Sequence, residues 1–143
     1  MSERLAASDN PASTPLLLDT QILLWLAISP DLIPPHWRER LANRSTAAAF
    51  SVASIWEVAI KTSLRKPGFQ VDAEALRAGL LNEGLEECPI QAKDAVAVQH
   101  LPWIHRDPFD RLLVAQAQQR GLTLLTADQT LSGYGPWVRW LQG

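Results

Sequence analysis

Apolar blocks alternate with helical stretches along the chain. Pro15 leads into Leu16-Leu17-Leu18, a continuous apolar run of the kind expected of a strand buried on both faces. Ile22, Leu23, Leu24, Trp25 and Leu26 follow densely enough for a buried helix, and Pro30, Pro34 and Pro35 break it. Pro35 is suited to open the next helix, which carries Trp37 and Leu41. Ala47 to Val52 predicts a second strand, with Ser51 and Ser54 as candidate N-caps of a helix running to about Leu64. Ile55, Val58, Ala59 and Thr62 would form that helix's buried side, and Pro67-Gly68 stops it.

The helical period returns over Asp72 to Leu81, then Leu85 to Ile90 reads as a weaker strand and Gln91 to His100 as a short helix. Asp107-Pro108 is a strong helix start, with the acid as N-cap and proline in the first turn, and Gly121 ends that helix. Leu122 to Thr126 is the clearest strand, and Val138 to Leu141 suits an edge strand. Strands alternating with helices predict an α/β fold with a parallel sheet covered on both faces.

Composition narrows this picture only slightly. The chain's 143 residues suit one domain, expected over 15–143 behind a polar arm at 1–14 with no apolar signal region. The apolar stretch from Leu16 to Ile28 is interrupted by Asp19 and Gln21 and is too short for a membrane span. With 13 Lys+Arg against 15 Asp+Glu the net charge is −2, which excludes a uniformly basic polyanion binder but not a local basic patch. A single cysteine, Cys88, permits no internal disulfide; a reducing, cytoplasmic home is expected, with Cys88 a small buried hydrophobe.

Four acids sit beside strongly apolar sequence: Asp19, Glu57, Asp110 and Asp128. In a right-handed parallel sheet, ligands gather outside the carboxyl ends of the strands. Asp19 and Asp128 each follow a strand's carboxyl end. Glu57 lies in the first turns of the helix leaving the second strand, and Asp110 in the first turn of a helix running antiparallel to the fourth. All four are therefore expected on one sheet edge. Crowded carboxylates repel and raise one another's pKa unless a cation compensates them. All-oxygen ligation favours Mg²⁺, with Mn²⁺ as substitute, and such a metal suits phosphodiester hydrolysis.

The segments Leu17-Leu18-Asp19-Thr20, Ser54-Ile55-Trp56-Glu57-Val58-Ala59-Ile60-Lys61, Asp107-Pro108-Phe109-Asp110-Arg111-Leu112-Leu113-Val114-Ala115-Gln116-Ala117 and Thr126-Ala127-Asp128 resemble those of PIN-domain ribonucleases. The likeness is greatest to VapC-type toxins of type II toxin–antitoxin pairs. It implies a PIN-like three-layer fold with a five-stranded parallel sheet, Mg²⁺-dependent endoribonuclease activity on RNA, a homodimer and a small VapB-like antitoxin partner. By this resemblance Asp19 and Asp110 are the main metal ligands, Glu57 and Asp128 complete the set directly or through water, and Thr126 supports it. Gln21 departs from the histidine common at that position.

Each acid taken alone has a plainer explanation. Asp19 suits a helix cap, Asp110 a helix dipole, Asp128 a turn, and Glu57 with Lys61 an i,i+4 surface pair. Their joint placement favours the functional reading. Glu57, Lys61 and Arg65 form a drifting helix stripe, and with Arg111 beside Asp110 these cations are candidate contacts to an RNA backbone. Trp25 and Trp56 suit core or dimer-interface anchors better than base-stacking platforms. His100 and His105 show no ligand spacing and read as ordinary loop or helix-end residues. The competing functions are a non-catalytic RNA-binding or protein-interaction module and a metal-dependent phosphatase with Asp19 as nucleophile. Gln21 disfavours the phosphatase, which would want an acid there.

Overall fold

The molecule is described by a computed structural model over residues 14–143; the expected arm, apart from Thr14, lies outside the described residues. Five strands form one sheet: β1 (Leu16–Leu18), β2 (Ala48–Ser51), β3 (Glu86–Cys88), β4 (Thr123–Thr126) and β5 (Val138–Trp140). Every neighbouring pair is parallel, in the order β3-β2-β1-β4-β5. The helices are α1 (Thr20–Ile28), α2 (Pro35–Ala42), α3 (Val52–Ser63), α4 (Ala73–Asn82), α5 (Ala92–Ala97) and α6 (Pro108–Arg120).

The pleat of β1 divides the interior. Leu17 packs on one side with Leu113, Val114, Ala117 and Leu124, which brings in α6. Leu16 and Leu18 pack on the other with Ile22, Leu23, Trp37, Val58, Leu76 and Leu80, which brings in α1 to α4. Adjacent strand residues point to opposite faces, so a strand covered on both sides must be apolar throughout. The result is the expected three-layer α/β arrangement, a five-stranded parallel sheet covered by helices on both faces.

Local chemistry sets the helix ends. Ser51 caps α3 by accepting from Ala53 N, while Ser54 lies inside the helix and is buried. Asp72 caps α4, and Gly121 ends α6 at φ 68, a left-handed position that a side chain would strain. The expected helix over Gln91 to His100 is divided: α5 ends at Ala97 and Val98–His100 is 3₁₀. Gln129–Tyr134, which carries no helical apolar period, is also 3₁₀ and covers the sheet through Leu131 and Tyr134.

The buried face of α3 differs from the sequence reading. Ala53, Ser54, Glu57 and Val58 are buried, whereas Ala59 is exposed. Trp56, Ile60 and Leu64 form an exposed apolar stripe at four-residue spacing, with Trp56 set edge-on against Phe109. Cys88 is buried as expected. No helix among the described residues is long and apolar enough to cross a membrane.

Candidate active site

Connections leave β1 toward β2 on one side and enter β4 on the other, so the seam between β1 and β4 is the switch point of the sheet. Asp19 stands there, directly after β1, with its backbone N bonded to Leu125 O at 3.0 Å. Its Oδ1 accepts from Ile22 N at 2.9 Å, so it does cap α1. Its Oδ2 accepts from Thr126 Oγ1 at 2.7 Å and from Ala127 N at 2.9 Å, which ties it to β4. The capping role and the site role therefore coexist in one carboxylate.

The other acids open into the same cleft of about 530 Å³, lined by Asp19, Glu57, Asp107, Asp110, Asp128 and Lys61 among others. Glu57 is oriented from two sides: Thr20 Oγ1 donates to its Oε1 at 2.7 Å, and Lys61 Nζ lies 3.3 Å from its Oε2. Ser54 Oγ is 2.9 Å from Thr20 Oγ1 and completes a buried hydroxyl chain. Asp107 caps α6 by accepting from Phe109 N and Asp110 N, leaving Asp110 in the first turn. Asp128 Oδ1 accepts from Thr130 N and Thr130 Oγ1, and Asp128 N donates to Thr126 Oγ1 at 3.0 Å.

Burial sets the electrostatics, followed by mutual repulsion. It pushes the Asp19 carboxyl up despite the bonds from Thr126, Ile22 and Ala127, and the charge of Glu57 adds to the rise. Asp110 is pushed up to about 7 by burial and by the negative charges of Asp107, Asp19 and Glu57, partly offset by His105. Asp128 goes the other way: burial raises it, but the bonds from Thr130 and the neighbouring His105 leave it below its ordinary value. Two carboxylates thus resist ionising in the protein alone. A divalent cation would relieve both, and the oxygen donors suit Mg²⁺ or Mn²⁺.

Sequence reasoning missed His105. Its Nε2 lies 3.0 Å from Asp128 Oδ2 and 3.7 Å from Asp110 Oδ2. Among the described residues, His105, Asp110 and Asp128 are the set whose potential ligand atoms all fall within 4.8 Å of one another, and Asp19 is outside it. The only local hint was a histidine two positions before a capping aspartate. Thr20 and Ser54 were missed as well, although they adjoin Asp19 and precede Glu57 by one helical turn.

Two of the expected cations are elsewhere. Arg111 does not face the cleft; it is 3% exposed, stacks over Trp103 at 4.0 Å, and donates to Pro102 O, Val98 O and Tyr134 Oη. Its terminal nitrogens are spent on loop carbonyls and the Tyr134 hydroxyl, and the buried guanidinium is not presented to a phosphate in the cleft. Arg65 lies past the end of α3 with φ 53, so the helix stripe stops before it, and it is not among the cleft-lining residues. Lys61 alone of the three lines the cleft, half exposed beside Glu57.

A family model for the PIN domain matches residues 16–135. No curated protein matches the sequence significantly. Among solved structures, DNA-bound VapBC from Salmonella typhimurium is similar with TM-score 0.65 and 19% identity, over 88% of this chain and 96% of that one. VapBC2 from Rickettsia felis, bound to a DNA fragment from its promoter, is similar with TM-score 0.67 and 17% identity, over 89% of this chain and 97% of that one. At such identities the structures share the fold. The family match, spanning both strand ends that carry Asp19 and Asp128 and both helices that carry Glu57 and Asp110, makes this chain a member of the PIN domain family.

Proposed function

We propose that the chain is a Mg²⁺-dependent endoribonuclease of the VapC toxin type, with Mn²⁺ as a substitute metal. The observation that carries this reading is the gathering of Asp19, Glu57, Asp110 and Asp128 in one open cleft, where Asp19 and Asp110 are held above the ordinary carboxylate range. Asp19, Asp110 and Asp128 would hold the metal, with Glu57 completing the acidic set. A bound divalent ion supplies a low-pKa water as nucleophile and charge neutralisation at the phosphate. The protein's own contribution is orientation. Thr126 and Ala127 fix Asp19, Thr20 and Lys61 fix Glu57, and the N-terminal turn of α6 presents Asp110. Lys61, half exposed in the cleft beside Glu57, would meet a phosphate running across the acids.

The partners follow from the same reading. Similarity to VapBC assemblies supports a VapB-like antitoxin, and the absence of a membrane-length helix among the described residues is compatible with a cytoplasmic RNA target. The exposed stripe Trp56, Ile60 and Leu64, with Phe109, is an apolar face suited to a second copy in a homodimer. The test of activity is RNA cleavage by purified protein with Mg²⁺ or Mn²⁺, lost in EDTA and absent in Asp19→Asn. Cleavage that persists in a chelator, with Asp19→Asn equally active, would overturn the reading.

A further inference from the structure

The closest potential ligands in the cleft, His105, Asp110 and Asp128, invite assignment of the imidazole to the metal. The hydrogen bonding around the ring argues otherwise. Asp107 N donates to His105 Nδ1 at 3.2 Å, which makes Nδ1 an acceptor and leaves Nε2 as the nitrogen that carries the ring proton. That Nε2–H points at Asp128 Oδ2 at 3.0 Å. Coordination through Nε2 would require the proton on Nδ1, where it would face the Asp107 N–H, donor against donor.

The ring's backbone is also clamped from the side away from the cleft. His105 N donates to Tyr134 Oη at 2.9 Å, and Arg111 Nη1 bonds both Tyr134 Oη at 3.1 Å and Pro102 O at 2.9 Å. Tyr134 and Arg111 are buried, at 7% and 3% exposure, so the clamp has little freedom to relax. Asp128 Oδ1 is meanwhile held by Thr130. Without His105, Oδ2 would lose the bond that fixes the plane of the carboxylate.

We infer that His105 is a positioning residue: it holds Asp128 through Nε2–H and does not coordinate the metal. This deepens the nuclease reading and rests on it for the identity of the cation site. Partners of this kind that orient a ligating group typically change metal affinity or activity by about 10–100-fold when removed.

The test separates the two roles of the ring and is independent of RNA cleavage. Long-range ¹⁵N–¹H spectra of the metal-free full chain at alkaline pH report which nitrogen of His105 carries the proton; Nε2–H is expected, and Nδ1–H would overturn the assignment. Mn²⁺ is then titrated by EPR into wild type, His105→Gln and His105→Asn. Glutamine places an amide N–H near the Nε2 position, whereas asparagine is too short to reach Asp128. Gln is expected to bind Mn²⁺ within about threefold of wild type and Asn about 10–100-fold more weakly. Equal loss in both variants, with strong ¹⁴N modulation from a directly bound imidazole in the wild-type Mn²⁺ spectrum, would make His105 a ligand. Wild-type affinity in both would remove any role in positioning. Wild-type protein that binds Mn²⁺ with this variant pattern yet leaves RNA intact would sink the nuclease reading and leave the role of His105 standing.

Discussion

Thr126 donates its hydroxyl proton to Asp19 Oδ2 at 2.7 Å, joining the ends of β1 and β4 across 107 positions of chain. Thr126 Oγ1 in turn accepts from Asp128 N at 3.0 Å, so one buried hydroxyl sets the relation between two acids of the cleft. Thr126→Val keeps the shape and deletes both bonds. It is expected to cost about 1–3 kcal/mol of stability through the unsatisfied buried groups. Activity should fall by about 10–100-fold, because Asp19 loses a bond that orients it. Thr126→Ser should retain most of both. Thermal unfolding and RNA cleavage rates check this; equal behaviour of Val and Ser would refute the bridging role.

Asp110, raised to about 7, gives metal-free protein an unusual pH dependence. Between about pH 4 and 7 the unfolded chain releases this proton while the folded protein keeps it, so stability falls as pH rises through that window. Asp19, also raised, acts in the same direction. The melting temperature in EDTA is expected to be lower at pH 8 than at pH 5.5, and Asp110→Asn should flatten this difference. Adding Mg²⁺ at pH 8 should raise the wild-type value, by about 2.7 kcal/mol of stability at a hundredfold excess over Kd. A melting temperature that climbs from pH 5.5 to 8 in EDTA would contradict the crowding of the acids.

Arg111 is a structural cation. Its guanidinium serves the carbonyls of Val98 and Pro102 and the Tyr134 hydroxyl in a buried setting. Arg111→Met should destabilise the fold by at least about 3 kcal/mol, since bonds from a charged donor are worth about 1.5–3 kcal/mol each. Urea unfolding measures it. A loss under about 1 kcal/mol, accompanied by a change in the salt dependence of RNA affinity, would return Arg111 to the RNA path.

Lys61 is half exposed in the cleft, 3.3 Å from Glu57. If it meets a phosphate, Lys61→Gln in a Mg²⁺-free Asp19→Asn background should make the slope of log K against log[salt] shallower by about 0.7. Weakening should be similar across RNA sequences, because backbone contacts do not read bases. An unchanged slope would confine Lys61 to neutralising Glu57. Arg65→Gln is the control, expected to leave the slope unchanged, because Arg65 lies beyond the helix and outside the cleft lining.

By itself the sequence determined the order of strands and helices and the edge on which the acids meet. Leu16-Leu17-Leu18 reads as a doubly covered strand, Asp107-Pro108 starts a helix from its own chemistry, and a parallel sheet brings strand ends and helix starts together. Such signals are local or follow from topology, so Asp19, Glu57, Asp110 and Asp128 were legible without coordinates. Tertiary structure alone decided what the remaining polar groups face. Arg111 adjoins Asp110 in sequence, but a helix turns successive residues through about 100°, and that turn sends its guanidinium into the loop carbonyls. His105 has no periodic relation to any acid, and its ring reaches Asp128 only because the Tyr134 hydroxyl and Arg111 fix the loop from behind. A hydrogen bond between residues 23 positions apart depends on where two irregular segments pack, and no spacing rule encodes that contact.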